Sequence, residues 1–74
     1  MTNIALKTLQ IAVNGKPHSV YAGAVVTDLV ADFKLDPRQV AIERNLAIVP
    51  RSAYAMTPLM DGDRIEIVGF IGGG

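Results

Sequence analysis

Asn14-Gly15 directly follows an alternating stretch, Leu9-Gln10-Ile11-Ala12-Val13, and no other feature constrains the fold of this chain as strongly. A type I′ turn needs positive φ at both central residues, which Asn and Gly tolerate, and its twist matches a pair of antiparallel strands. Leu9, Ile11 and Val13 then share one face of a half-buried strand. The spacing predicts a return strand over residues 16–21, with His18 and Val20 on a common face. Pro17 has no N–H to give a ladder, so it suits a strand at the sheet edge.

Beyond Gly23 the period changes from two to 3.6. Val26, Leu29, Val30 and Phe33 form one stripe of an amphipathic helix over residues 26–33. Asp28 falls in its first turn and Lys34 near its end, where each complements the helix dipole. Asp36-Pro37 is expected to stop it, because a residue before proline is pushed out of the α region. No Ser, Thr, Asp or Asn precedes Val25, which leaves the start weakly capped unless Thr27 caps a shorter helix. A strand over residues 40–44 turns at Asn45-Leu46 into a short strand over 47–49, ended by Pro50. Residues 51–58 read as a loop with a helical turn, Tyr54 and Met56 pointing inward. Asp61-Gly62-Asp63 reads as a β-turn, and the last strand follows, with Ile65 and Ile67 inward and Glu66 and Val68 outward.

A hairpin, one crossover helix and further strands define an α+β class: one mixed sheet of four to five strands with the helix across one face. In that order the first and last strands can pair in parallel at the sheet centre, the arrangement called a β-grasp. The 74 residues make a single domain, with 1–8 read as an N-terminal extension and 69–74 as a flexible tail. Below about 80 residues one core contributes no more than ~3–5 kcal/mol of net stability. The half-apolar composition is what such a core needs, since there is no cysteine to form a disulfide.

Composition also excludes chemistry. Seven basic and seven acidic residues cancel, so no footprint for a phosphate backbone exists and no nucleic-acid partner is expected. No apolar run reaches the ~18–20 residues of a membrane span, and the start lacks the basic and apolar regions of a signal peptide. A cytoplasmic location and no membrane partner are the expectation. With no Cys and a single His, neither a side-chain zinc site nor a Cys/His dyad can be assembled, so no metal is expected. His18 has no nucleophile set beside it in sequence and reads as a packing or surface residue. The acids show no spacing for acid–base work and read as surface charge. The glycines after the last strand open no helix, so they form no phosphate loop. By elimination, the chain is expected to have no catalytic side chains and no cofactor of its own.

The tail remains. Gly72, Gly73 and Gly74 stand just after a strong strand. Two readings stay open on residues alone: a frayed end, and a reagent. Glycine can thread a channel that excludes every side chain, and the Gly74 α-carboxylate is a carbon that ATP can activate. Fully extended, the three glycines reach about 10 Å. Alternation sets Val68 and Phe70 outward beside the tail, so Val68, Phe70 and Ile71 are candidate docking residues, the other reading being that Phe70 folds back over the core edge.

Asn14-Gly15, the helix over 26–33, Glu43-Arg44-Asn45, Ile48-Val49-Pro50-Arg51, Tyr54, Asp61-Gly62-Asp63 and Gly73-Gly74 together resemble the sulfur carrier family of thiamin biosynthesis, which is ubiquitin-like and β-grasp. The likeness covers residues 9–74. Gly-Gly alone is shared with ubiquitin and other carriers; residues 43–51 and the Gly-Asp turn point to the thiamin branch. Val25 stands where the family often has a capping Thr, and residues 1–8 extend the usual start.

The resemblance implies a chemical cycle. A ubiquitin-activating-type adenylyltransferase adenylates the Gly74 carboxylate with ATP. A persulfide sulfur, from a cysteine desulfurase or a relay protein, converts it to a thiocarboxylate. Thiazole synthase then takes the sulfur, with Gly72 and Gly73 threading its site. Two related readings use the same tail: the small subunit of molybdopterin synthase, which tends to have prolines where this chain has Gly69-Phe70-Ile71, and a protein modifier joined to lysines. A binding module with an incidental glycine end is a third.

Overall fold

The computed structural model describes residues 7–69. In order, the chain forms β1 (Thr8–Val13), β2 (Lys16–Tyr21), α1 (Val26–Asp32), a 3-10 turn (Pro37–Gln39), β3 (Val40–Arg44), β4 (Ala47–Val49), a second 3-10 segment (Arg51–Met56) and β5 (Arg64–Gly69). The strands make one sheet in the order β2-β1-β5-β3-β4. β1 and β5 are parallel, with Ala12 beside Arg64 and Val13 beside Ile65. The other neighbours are antiparallel. Two tight hairpins set the registers of β1–β2 and β3–β4. Asn14 and Gly15 take φ of 52° and 81° and close the pair Val13–Lys16, while Asn45 and Leu46 take 52° and 72° and close Arg44–Ala47. β2 is an edge strand, so Pro17 withholds no ladder bond from an interior neighbour.

One face of the sheet packs on α1. Ile11, Val13, Val20, Val40, Ile42, Val49 and Ile65 meet Val26, Leu29 and Val30 there, with Tyr54 and Leu59 filling the side. The helix begins at Val26 without a polar N-cap side chain. Its start is secured from the other direction: the Val25 N–H donates to the Asp28 carboxylate at 2.8 Å, the reciprocal half of a capping box. Thr27 is therefore not the cap.

The helix stops earlier than Asp36-Pro37 would stop it. Lys34 takes φ of 57°, its N–H donates to the Ala31 carbonyl at 2.9 Å, and the Leu35 N–H donates to the Val30 carbonyl at 3.1 Å. These two bonds are a Schellman closure with lysine where glycine is usual. Asp36 instead opens the first 3-10 turn by accepting the Arg38 N–H at 2.9 Å.

Met56 also departs from expectation, being 77% exposed, while Tyr54 is buried. At three residues per turn, positions two apart point 240° apart, so both cannot face the core. Thr8 pairs with Tyr21 and Gly69 with Val40. The sheet thus takes one residue from each flank that the sequence assigns to an extension or a tail.

Candidate functional site

β5 is the strand that leads to the glycine tail. Its pairing with β1 ends at Val13–Ile65, so residues 66–69 run past the end of β1. On one side they are held by β3, through Glu43–Glu66, Ile42–Ile67, Ala41–Val68 and Val40–Gly69. On the other side a side chain continues where the strand stops. Asn14 Oδ1 accepts the Ile67 N–H at 2.7 Å, and Asn14 Nδ2 donates to the Ile67 carbonyl at 3.2 Å. The Asn14 backbone N–H adds a bond to the Ile65 carbonyl at 2.9 Å. The turn residue of the first hairpin therefore stands in for one more residue of β1. It fixes β5 two positions before Gly69.

The start of β5 is fixed by Asp63. This carboxylate is only 5% exposed. It accepts Arg44 Nε at 2.9 Å, Asn45 Nδ2 at 3.0 Å and the Met60 N–H at 2.8 Å. Asn45 Oδ1 in turn accepts the Arg64 N–H at 2.9 Å, so the tip of the β3–β4 hairpin is tied to the root of β5. Burial is the largest influence on Asp63 and opposes its ionisation. The bonds from Met60, Asn45 and Arg44, with the guanidinium charge, outweigh it and hold the carboxyl below its ordinary 3.8. Reading all the acids as surface charge fails here. A signal was present: Asp63 has the parity of Ile65 and Ile67, which face inward. Asp61 next to it fits the turn reading and accepts the Gln10 N–H at 2.8 Å.

Of the predicted docking residues, Val68 lies on the face of the sheet opposite α1 and is 57% exposed. A Cβ placed at Gly69 meets nothing within 4 Å, so the space around this residue does not demand glycine. Phe70, Ile71, Gly72, Gly73 and Gly74 lie outside the described residues. His18 is half-buried, with its ring edge-on to Phe33 at 4.9 Å between centroids and Nε2 3.4 Å from Asp32 Oδ2. Among the described residues, no group of three or more His, Cys, Asp or Glu could hold a metal ion, and no helix is long and apolar enough to cross a membrane.

A mixed sheet with a central parallel β1–β5 pair, crossed by one helix and ending on its middle strand, is a ubiquitin-like β-grasp. A crystal structure of the thiamine biosynthesis protein ThiS from Geobacter metallireducens superposes with a TM-score of 0.72 at 37% identity, covering 89% of this chain and 100% of that one. The chain belongs to the ThiS family, whose model matches residues 11–74. It is 43% identical over 49 residues to the sulfur carrier protein ThiS of Bacillus subtilis, covering 66% of this chain and 74% of that protein. It is also 46% identical over 66 residues to a thiazole synthase of Paramagnetospirillum magneticum, and 42% to one of Magnetococcus marinus. There the match spans 89% of this chain but only 20% of either synthase.

Proposed function

We propose that this chain is a sulfur carrier for thiazole formation in thiamin biosynthesis, with the Gly74 carboxylate as the group that reacts. Membership of the ThiS family carries this reading, and the clamped course of β5 toward the tail is consistent with it. An adenylyltransferase of the ubiquitin-activating type joins the carboxylate to AMP, releasing pyrophosphate. The terminal sulfur of a protein persulfide, from a cysteine desulfurase or a relay protein, attacks the acyl carbon and AMP leaves, giving an acyl disulfide. A second thiol attacks the sulfur remote from the acyl group. A protein disulfide forms, and the thiocarboxylate is released on Gly74.

Thiazole synthase is the proposed acceptor of that sulfur, with Gly72 and Gly73 passing into its site. Supporting this partner, relatives named thiazole synthase include a stretch of 66 residues similar to this chain. The carrier contributes a handle and a recognition surface and no catalytic side chain or resident cofactor; ATP belongs to the activating partner.

The first test is adenylation. The chain with its activating enzyme is expected to support exchange of labelled pyrophosphate into ATP, and a chain lacking Gly74 is not. Exchange that survives the deletion contradicts the assignment to Gly74, and no exchange with the intact chain contradicts the carrier reading.

A further inference from the structure

Among the described residues, no strand pairs with the outer side of β2. Which backbone groups point to that open edge follows from the first hairpin. Its two-residue turn makes Val13–Lys16 a hydrogen-bonded pair, and such pairs alternate along an antiparallel ladder. Ile11–His18 and Leu9–Val20 are then bonded pairs too, and the bond from the Ala22 N–H to the Lys7 carbonyl at 2.9 Å continues the series. Pro17, Ser19 and Tyr21 turn their backbone groups the other way. Pro17 has no N–H to offer, and the Tyr21 carbonyl accepts the Ala24 N–H at 3.0 Å. The edge therefore presents the Pro17 carbonyl, both backbone groups of Ser19 and the Tyr21 N–H.

A cleft of about 360 Å³ runs between this edge and α1, bordered by Val20, Tyr21, Ala24, Asp28, Leu29 and Asp32. Val20, Ala24 and Leu29 make its surface apolar, and the α1 wall is acidic. Asp28 and Asp32 are four positions apart on one flank of the helix, and both are exposed. One Asp28 oxygen accepts the Val25 N–H, and no ion pair among the described residues includes this carboxylate. Asp32 faces His18, with Nε2 3.4 Å from Oδ2, and the rest of the carboxylate is open to solvent. It also stands in the last turn of α1, where no basic residue offsets it and a negative charge opposes the helix dipole. The helix thus keeps this acid against its own stability.

We propose that the open edge of β2 and the cleft beside it form a docking site for an extended segment of a partner protein, with arginine or lysine at alternate positions. The segment adds a short strand to the sheet through the backbone groups of Ser19 and Tyr21. Alternate side chains of a strand share one face and repeat every ~6.6–6.8 Å. Helix side chains at i and i+4 lie ~5–6 Å apart at Cβ. A basic pair on the face that His18 and Val20 share is therefore spaced to reach Asp32 and Asp28, its aliphatic stems lying over Val20, Ala24 and Leu29. Charge complementarity selects this occupant, because a second copy paired edge to edge sets one acidic flank against another. Pro17 keeps the added strand short, which suits a segment and discourages open-ended sheet growth. The proposal does not rest on the carrier reading: β1 separates β2 from β5, so an occupant here leaves the strand to the tail uncovered.

The probe is a short capped peptide of alternating arginine and valine, titrated into the full chain, with a matched peptide carrying glutamine in place of arginine. The arginine peptide is expected to bind with a Kd below about 1 mM, and the glutamine peptide about tenfold more weakly. At saturation, hydrogen exchange at the Ser19 and Tyr21 amides is expected to slow about tenfold, while the Val20 amide, already paired with Leu9, changes less than about twofold. Asp32→Asn removes a charge unfavourable to the helix, so it is expected to melt at or above the temperature of the parent and to bind the arginine peptide about fivefold more weakly. Affinity of the parent is expected to fall with added salt. Absence of binding, equal binding of the two peptides, unaltered affinity in Asp32→Asn or unslowed exchange at Ser19 and Tyr21 each overturns the proposal. Exchange at those two amides that is already slow without peptide also overturns it, assigning the edge to a second copy if the chain sediments as a dimer and to another segment of this chain if it is a monomer.

Discussion

Asp63 and Asn14 hold the strand that leads to the tail, and each does so through a side chain bonded to distant backbone or side-chain groups. Replacing Asp63 with alanine leaves the Arg44 guanidinium, the Asn45 amide and the Met60 N–H without their acceptor. Equilibrium urea unfolding is expected to show a loss of about 3 kcal/mol. Because the folded carboxyl titrates below 3.8, its contribution is fully present above that value and is lost as pH falls through the lowered one. The parent is therefore expected to lose stability below about pH 4 more steeply than Asp63→Asn, which has no carboxylate to protonate at that position. Asn14→Gly keeps the left-handed turn and deletes only the two bonds to Ile67. The expected result is a loss of about 1–2 kcal/mol, with hydrogen exchange at the Ile67 amide speeding more than at the Ile42 amide. Uniform acceleration at both sites contradicts a local clamp.

At the level of elements, the closure of α1 is the clearest place where this chain departs from its most stable sequence. Lys34→Gly removes a side chain from the left-handed position of the Schellman closure. It is expected to raise the urea midpoint by the equivalent of about 0.5–1 kcal/mol at unchanged slope, the relief of strain exceeding the added freedom of the unfolded chain. The hairpins and the helix stripe were legible beforehand because each is written in local periodicity and turn chemistry, whereas the parallel central pair followed only from the order of the elements. Asn14-Gly15 announces a turn within six residues. The helix ends within one residue of where the stripe over 26–33 placed it, but its closure was assigned to Asp36-Pro37, a visible stop, whereas a lysine in the left-handed region leaves no mark in sequence. The second role of Asn14 was invisible for a different reason: its partner is 53 positions away. Asp63 lies between. Its parity with Ile65 gave its direction, but the bonds from Asn45 and Arg44, 18 and 19 positions back, emerge only once β3 and β5 are paired. Of the two residues read as inward in the loop over 51–58, Tyr54 is buried and Met56 is not, because the 3-10 pitch admits only one of the two.

On the scale of the molecule, the proposed function separates stability from chemistry. The core under α1 is aliphatic apart from Tyr54. The opposite face holds exposed Ile48 and Val68, opposed carboxylates and the exit of β5. Substitutions at the tail are expected to leave folding untouched and to abolish the reaction, and those under the helix to do the reverse. Of the residues expected to meet a partner, Val68 stands on the described surface, while Phe70, Ile71 and the three glycines lie beyond it. Intact-mass spectrometry tests the carrier reading most directly, on the parent chain and on one lacking Gly74, each co-expressed with the activating enzyme and a cysteine desulfurase. The parent is expected to gain the mass of one oxygen exchanged for one sulfur, and the deletion to stay unchanged while melting at the same temperature as the parent. A parent that acquires lysine adducts without that exchange, or a deletion that gains sulfur as the parent does, contradicts a sulfur carrier working through Gly74.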